Sequence, residues 1–181
     1  LDVGGLSILM RLLRGLPTAP TAVVAPPPLQ PLPDELAHVL FTREDPPGGG
    51  PAAGLAAGVA ALPPGLDIVV ALAGDQPFAA TAVPRLVAAL VEDPGVGAVL
   101  GVDADGRAQP LLAAYRAVEL TRVLPHVRSG DSIRSALAAI PRALLTLVGA
   151  EYLDVDDFTD LALAREIVRG RVVGPDGPQP S

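Results

Sequence analysis

Apolar stretches alternate along the chain with segments of helical periodicity. The clearest stretch is the unbroken run of Val, Ile, Leu and Ala between Asp67 and Ala73, which ends in Gly74-Asp75-Gln76-Pro77. A run that is apolar at every position is typical of a strand buried on both faces, as in a parallel sheet. Further apolar strands are predicted at 21–25, 38–42, 96–102, 109–115 and 143–148.

Helical periodicity fills most of the segments between these strands. Helices are predicted over 7–16, 51–62, 81–92, 118–127, 131–140 and 157–169. Alternating strands and helices predict an α/β fold with a three-layer, mostly parallel, Rossmann-like sheet. The Asp105-Gly106 turn predicts that the 109–115 strand returns antiparallel. We expect a single domain over residues 1–173 and a disordered tail over 174–181.

Composition excludes several classes of function. The chain has 181 residues and a formal net charge of −7, and all 13 of its basic residues are arginine. No basic patch and only 3% aromatic residues argue against a nucleic-acid partner. Because there is no cysteine, disulfides, thiolate metal sites and cysteine nucleophiles are excluded. No uninterrupted apolar run is long enough to predict a membrane span, and we expect a cytoplasmic protein.

Asp75 lies where the most apolar strand ends. In open α/β sheets, ligands bind in the crevice at the carboxyl ends of the strands. A carboxylate at this point is placed to hold a metal ion against a bound phosphate. The alternative is that Asp75 only caps the following turn or helix, which is a frequent role of Asp after a strand.

A glycine-rich loop, from Arg43 to Gly54, follows the strand predicted at 38–42. It leads into a helix that has Pro51 in its first turn. Glycines let backbone N–H groups approach a ligand closely, and a helix N-terminus adds partial positive charge, so the loop suits a nucleotide or its phosphates. The alternatives are a flexible connector and, for Gly54 and Gly58, close packing of the helix on the sheet.

A cluster of carboxylates, from Glu151 to Asp160, precedes the last predicted helix. One interpretation is purely structural. Asp157 or Thr159 would cap the helix, and Asp160 would lie favourably in its first turn.

The functional interpretation of this cluster involves a divalent cation. Asp154 and Asp156 alternate, so both face the same way if the segment is extended. Asp156, or else Asp154, would meet Asp75 across the crevice and share its ion. Mg²⁺ suits this arrangement because it binds through one or two carboxylates, with phosphate oxygens and water completing its octahedron.

Taken in order, these segments resemble the nucleotidyltransferases that attach a nucleotide to molybdopterin, especially the molybdenum cofactor guanylyltransferases. The wider group includes molybdopterin cytidylyltransferases and sugar-phosphate nucleotidyltransferases, which have a GT-A-like fold. The resemblance covers nearly the whole chain and starts at Leu1 to Leu9, which is similar to the stretch after the family's conserved lysine. The other matching segments are Glu44-Asp45, Gly50-Pro51-Ala52-Ala53-Gly54, Asp75-Gln76-Pro77, Gln109-Pro110 and Asp154 to Leu161.

The resemblance implies transfer of GMP from GTP to molybdopterin, with release of pyrophosphate. It implies that Asp75 is the catalytic residue and the principal Mg²⁺ ligand, with Asp156 as the second ligand. Asp45 would accept hydrogen bonds from the base. The residues implied to line the nucleotide, besides Asp75 itself, are Gly50, Pro51 and Gly54.

Three residues are candidates for binding the phosphate acceptor. Gln109 and Asp154 stand in motifs that the resemblance assigns to the site. Arg134 could contact the acceptor's phosphate, or it could equally be a solvent-facing helix arginine.

Two departures from the family pattern affect the prediction. The family's opening strand is absent ahead of Leu1, and so is the Gly-rich loop that wraps the triphosphate and supplies the lysine. We therefore expect the first strand and this loop to be missing. Asp154 and Asp156 replace asparagines and resemble the cytidylyltransferases more. The alternatives are therefore CTP-dependent transfer to molybdopterin, transfer to a sugar or lactyl phosphate, and a truncated or degenerate nucleotide-binding domain without activity.

Overall fold

The computed structural model describes residues 1–28 and 32–170. Its strands are β1 (Asp2–Val3), β2 (Leu6–Ser7), β3 (Thr21–Val24), β4 (Val39–Thr42), β5 (Ile68–Leu72), β6 (Ala98–Val102), β7 (Ala108–Arg116) and β8 (Arg142–Thr146). Its α-helices are α1 (Ile8–Gly15), α2 (Pro51–Ala61), α3 (Val83–Glu92), α4 (Ala117–Val123), α5 (Ile133–Ala136) and α6 (Phe158–Val168). The tail predicted over 174–181 and the domain boundary predicted at 173 lie outside the described residues.

Four strands form the central sheet in the order β5-β7-β6-β8. β6 and β8 pair in parallel, whereas β7 pairs antiparallel with both β5 and β6. Hence β5, β6 and β8 run in one direction and only β7 opposes them. The α/β fold class and the antiparallel return of the 109–115 strand are confirmed. The carboxyl ends of β5, β6 and β8 lie at one edge of the sheet.

Helices cover both faces of this sheet because its strands are apolar on both sides. On one face, Val69 and Ala71 of β5 pack with buried residues of β6, β7 and α4, and α2 and α5 pack against that cluster. On the other face, Leu112 and Ala114 of β7 pack with Leu86 of α3 and with α1. The predicted three layers are therefore present.

β3 and β4 form a second, two-stranded parallel sheet. No ladder joins β3 to β5 within residues 1–28 and 32–170. A cavity of about 320 Å³ lies between β3 and β5. Strand periodicity cannot reveal such a break, because it records which faces are buried and not which edges are paired.

The helix predicted over 131–140 is much shorter in the structure, where only the four residues of α5 are helical. Ser132 caps it by accepting a hydrogen bond from the Ser135 amide. The chain then tightens into a turn in which the Ile140 amide donates to the Leu137 carbonyl. Pro141 disfavours helical geometry in the residue before it, so the apolar spacing continues without a helix.

Candidate active site

Several predicted site residues lie at the edge where β5, β6 and β8 end. Asp75 follows β5 and is exposed. Gln109 lies near the start of β7, which runs antiparallel and therefore begins where β5 ends. Arg134 of α5 reaches the same strand, because its Nη2 donates to the Ala108 carbonyl at 3.2 Å. This edge corresponds to the ligand crevice of open α/β sheets.

The segment before α6 is bonded directly to the end of β5. The Val155 amide donates to the Asp75 carbonyl at 3.1 Å. Beside this bond, Gln76 Nε2 donates to Asp154 Oδ1 at 2.7 Å. Together these bonds bring the Asp75 and Asp154 segments side by side.

Carboxylates at this junction repel one another. Partial desolvation of the Asp154 carboxylate is the largest cause that raises its pKa, although the residue as a whole remains exposed. The hydrogen bond from Gln76 opposes that rise in pKa, whereas the charges of Asp75, Asp156 and Asp160 add to it. A bound cation would relieve this repulsion.

The candidate ligands at this junction are oxygen atoms, the ligand type that Mg²⁺ prefers. Asp75, Asp154 and Asp156 provide carboxylates, and the Oε1 atom of the buried Gln76 has no hydrogen-bond partner among the described residues. Within that part of the chain, no group of three or more Asp, Glu or His side chains already surrounds a metal position.

The glycine-rich loop is held at both ends before it enters α2. Glu44 Oε1 accepts a hydrogen bond from the Gly48 amide at 3.0 Å. Hydrogen bonds from the backbone amide of Glu44 itself and then from that of Gly48 lower the pKa of the Glu44 carboxyl. The Gly49 carbonyl accepts from the Gly130 amide at 3.0 Å. Gly50 caps the helix with a φ of 89°, and no atom lies within 4 Å of the place where a side chain would begin. A backbone with this φ is readily adopted only by glycine.

The remaining nucleotide-binding candidates lie around this loop. Asp45 is exposed and precedes a cis peptide bond to Pro46. Pro51 is the first residue of α2 and is also exposed. Gly54 lies on the side of α2 that faces β3, since a Cβ there would be 4.0 Å from Val24 Cγ1. Gly54 is thus the one candidate whose position also fits the packing alternative.

An ion pair that the sequence did not single out supports the segment leading to Asp154. Glu151 is buried, and both of its carboxylate oxygens accept from Arg85 Nη1 at 2.9 Å. Glu151 also accepts from the Val148 amide, while Arg85 Nη2 donates to the Thr146 carbonyl. The pair therefore ties α3 to the end of β8. In the sequence, Glu151 is indistinguishable from its solvated acidic neighbours, and only its burial reveals the difference.

Gln76 was likewise not among the candidate site residues predicted from the sequence. The structure buries it to 2% exposure beside the candidate carboxylates. A large polar residue between Asp75 and Pro77 is the only hint that the sequence gives of this role.

The family model of the MobA-like NTP transferase domain matches residues 1–145. The chain belongs to this family. As a member of the MobA-like NTP transferase family it is a nucleotidyltransferase, and the family implies a nucleoside triphosphate as substrate. No curated protein matches the chain.

Solved structures share the fold. Molybdopterin-guanine dinucleotide biosynthesis protein A from Archaeoglobus fulgidus matches with a TM-score of 0.65 and 19% identity, over 94% of this chain and 89% of that one. The 2-C-methyl-D-erythritol 4-phosphate cytidylyltransferase from Thermus thermophilus matches with a TM-score of 0.69 and 20% identity, over 93% and 91%. At these identities the likeness shows the fold of this MobA-like chain and not its substrate.

Within the described residues, no helix of this MobA-like domain is long and apolar enough to cross a bilayer.

Proposed function

We propose that this MobA-like nucleotidyltransferase transfers GMP from GTP to molybdopterin and releases pyrophosphate. The observation that carries the proposal is the bond from the Val155 amide to the Asp75 carbonyl. It gathers the Asp75 and Asp154 segments at the carboxyl edge of the sheet, where α/β folds bind phosphates. The family match and the shared fold with the Archaeoglobus fulgidus protein support the same activity.

In this reaction the acceptor's phosphate attacks the α-phosphorus of the triphosphate in line, and pyrophosphate leaves. The protein contributes by positioning the two phosphates and stabilising charge rather than by forming a covalent intermediate. Asp75, with Asp156 or Asp154, would hold a Mg²⁺ whose charge offsets that of the phosphates. Gln76 fixes Asp154 at the junction through their 2.7 Å hydrogen bond.

The remaining candidates are proposed to bind the two substrates. Asp45 would accept hydrogen bonds from the base, while Gly50 and Pro51 at the start of α2 line the nucleotide. Gln109 is held in place by donating to Asp103 Oδ2 at 2.9 Å. Arg134 uses one N–H on the Ala108 carbonyl and keeps further donors on the same guanidinium for the acceptor's phosphate.

A second candidate function is cytidylyl transfer from CTP. It is favoured by the structural likeness to the Thermus thermophilus cytidylyltransferase, which has the higher TM-score of the two neighbours described above. Asp154 and Asp156 stand where the guanylyltransferases have asparagines, which points the same way.

Pyrophosphate release measured separately with GTP and with CTP, each with molybdopterin as acceptor, distinguishes the two functions. We expect turnover with GTP. Turnover confined to CTP would establish the second candidate instead. No pyrophosphate from either nucleotide would contradict both candidate functions.

The assignment of Asp75 predicts that Asp75→Ala lowers the turnover rate by at least about 100-fold, because charge stabilisation at the phosphates is lost. Asp67→Ala is the matched control. Asp67 is exposed and lies immediately before the first residue of β5. Among the described residues, its hydrogen bond is the one that its backbone carbonyl accepts from the Ala117 amide, so the substitution removes no side-chain bond.

We expect the Asp67→Ala variant to keep its activity and both variants to melt cooperatively. Undiminished turnover in Asp75→Ala would remove Asp75 from the catalytic machinery.

A further inference from the structure

The loop between β6 and β7 contains a chain of hydrogen bonds that ends on Gln109. Asp103 follows β6 directly, and its Oδ1 accepts from the Asp105 amide at 3.1 Å and from the Arg107 amide at 2.9 Å. Its other carboxylate oxygen, Oδ2, accepts from Gln109 Nε2 at 2.9 Å. One oxygen of Asp103 therefore holds the turn, and the other holds the side chain of a candidate acceptor-binding residue.

These bonds fix which end of the Gln109 amide is left for a ligand. A carboxylate only accepts hydrogen bonds, so the NH2 group of Gln109 must be the end that turns toward Asp103. Within residues 1–28 and 32–170, the Oε1 atom of Gln109 has no hydrogen-bond partner, and the side chain is only half-buried. Gln109 therefore offers a ligand its carbonyl oxygen, which is a hydrogen-bond acceptor.

A bulge in β7 sets the position of Gln109. Along this strand, Ala113 and Gln109 pair with consecutive residues of β6, so the segment between them has no partner on β6. The buried Tyr115 anchors that segment, because its hydroxyl donates to the Pro110 carbonyl at 2.7 Å. Bulges are frequent beside active sites, where they redirect a side chain.

Gln109 also lies level with Asp75 along the sheet. β5 and β7 pair antiparallel, with Leu72 opposite Leu112. Continuing that register by three residues in each segment brings Asp75 opposite Gln109. The carbonyl oxygen of Gln109 thus belongs to the same edge of the sheet as the candidate carboxylates.

Arg134 adds a cationic donor beside this carbonyl. Its Nη2 donates at 3.2 Å to the carbonyl of Ala108, the residue before Gln109, which leaves other N–H groups of the guanidinium to bind an anion. A cation and a hydrogen-bond acceptor are therefore held at adjacent residues of β7. Such a pair suits a phosphate ester that carries an N–H or O–H group close to its phosphate.

We propose that Gln109 Oε1 accepts a hydrogen bond from an N–H or O–H group of the phosphate acceptor, and that Asp103 is the positioning residue that sets this polarity. The contact rests on the proposed function, in which Gln109 and Arg134 bind the acceptor. It specifies the acceptor's chemical class as a phosphate monoester with a donor group near the phosphate. An ester with only acceptor groups at that point would face the Gln109 carbonyl without a hydrogen bond and bind weakly.

Asp103→Asn tests the polarity because it should invert the Gln109 amide. The asparagine carbonyl must stay on the Asp105 and Arg107 amides, so its NH2 group takes the place of Oδ2. Gln109 must then turn its own carbonyl toward that NH2 group and present its own NH2 group to the acceptor. We expect the KM for molybdopterin to rise at least about tenfold, since two donors would face each other, while kcat changes by less than about threefold.

A second substitution should reverse this effect. In the Asp103→Asn, Gln109→Glu double variant, the asparagine NH2 group bonds to one glutamate oxygen, and the other oxygen again offers an acceptor. The formal charge of the pair is the same as in the wild type. We expect the KM of the double variant to return to within about fivefold of the wild-type value.

Gln109→Glu alone sets two carboxylates against each other, and we expect it to raise the KM at least about tenfold. The two single substitutions would then each be more harmful than their combination. Additive effects would overturn the proposal, because a purely structural role of Asp103 is not rescued by moving the charge to residue 109.

Asp105→Asn is the matched control. Asp105 is exposed in the same turn, and its carboxylate faces Arg107 at 3.6 Å rather than Gln109. We expect the KM for molybdopterin to stay unchanged in this variant. An equal rise in KM in Asp105→Asn and Asp103→Asn, or no rise in Asp103→Asn, would overturn the proposal.

Calorimetric titration with molybdopterin compares the same variants without turnover, so the contact and the proposed transfer are tested separately. Affinities in the expected order without pyrophosphate release would support the contact and contradict the transfer. Turnover that is indifferent to Asp103→Asn would support the transfer and overturn the contact. Absence of molybdopterin binding to the wild-type chain would also overturn the contact.

A variant that leaves the turn intact covers the case in which Asp103→Asn fails to fold by circular dichroism. Gln109→Met removes the acceptor oxygen and keeps the bonds of Asp103 Oδ1 to the turn. We expect its affinity for molybdopterin to fall at least about tenfold, and an unchanged affinity would overturn the proposal.

Discussion

At the scale of single residues, the candidate site contains polar groups whose burial is only partly compensated. Gln76 is 2% exposed, and its Nε2 bonds to Asp154 while its Oε1 has no partner among the described residues. Burying a carbonyl oxygen without a hydrogen bond normally costs stability. Such local conflicts are expected at functional sites, where a ligand or its water can provide the missing bond.

The buried Glu151 gives a residue-scale prediction. Glu151→Gln removes the charge that accepts two hydrogen bonds from Arg85 and one from the Val148 amide. We expect the free energy of unfolding to fall by about 1–2 kcal/mol, since charge-assisted bonds at a buried carboxylate are weakened while Arg85 remains partly solvated. Urea denaturation measures this change.

Glu35→Gln is the control for this substitution, because Glu35 pairs with Arg14 at 2.8 Å and its side chain is exposed. We expect it to change the free energy of unfolding far less, because a solvent-exposed ion pair contributes little to stability. Equal effects of the two substitutions would contradict the structural role given to Glu151.

At the scale of elements, the helix α2 both begins at the loop proposed to bind the nucleotide and packs closely against β3. Its first residues, after the positive-φ Gly50, face the loop proposed to bind the nucleotide. Its side toward β3 needs small residues, since a Cβ at Gly58 would lie 3.1 Å from Val24 Cγ2. Gly54 lies on the same side with more room, where a Cβ would be 4.0 Å from Val24 Cγ1.

This difference predicts unequal effects of alanine at the two glycines. Gly54→Ala should raise the free energy of unfolding by up to about 1 kcal/mol, because alanine favours the helix and its methyl group meets no obstacle. Gly58→Ala should give a smaller gain or a loss, because Val24 must shift. Urea denaturation of both variants provides the comparison, and a larger gain at Gly58 would contradict it.

The Gly54→Ala and Gly58→Ala variants also distinguish a packing role of Gly54 from a role in nucleotide binding. If Gly54 lines the nucleotide, Gly54→Ala should weaken GTP binding while stabilising the fold, whereas Gly58→Ala leaves GTP affinity unchanged. Unchanged affinity in both variants would assign Gly54 to packing alone.

At the scale of the whole molecule, the four-stranded sheet and the β3–β4 pair pack against the same helices, but no backbone ladder joins them within the described residues. The four-stranded sheet has a helical layer on each face. The β3–β4 pair is joined to it through packing with α2 and through the cluster that α1 forms with Leu36 and Val39. A two-stranded sheet with an unpaired edge has less to stabilise it than a central strand with two neighbours.

This organisation predicts unequal local stability. The Ala25 amide, bonded to the Thr42 carbonyl at 2.9 Å, should exchange its hydrogen at least tenfold faster than the amides of the β6–β7 ladder. Native-state hydrogen exchange followed by NMR measures both sets. Equal protection would show that the two sheets open as one unit despite their missing ladder.

Much of the fold was predictable because it depends on local patterns. The unbroken apolar run before Asp75 specified β5, and the Asp105-Gly106 turn specified the antiparallel return of β7. The helix predicted over 131–140 was wrong in length, because a capped single turn and a following tight turn have the same apolar spacing as a helix. The candidate carboxylates were also predictable, since each stands next to an element boundary.

By itself, the sequence determined the order of elements, the faces that they bury and the family to which the chain belongs, because period and motif are properties of neighbouring residues. Only the tertiary structure decided which segments lie together. It placed Val155 against Asp75, buried Glu151 and Gln76, and left an apolar gap between β3 and β5. These features join residues that are far apart in the chain, and a one-dimensional pattern does not record such pairings.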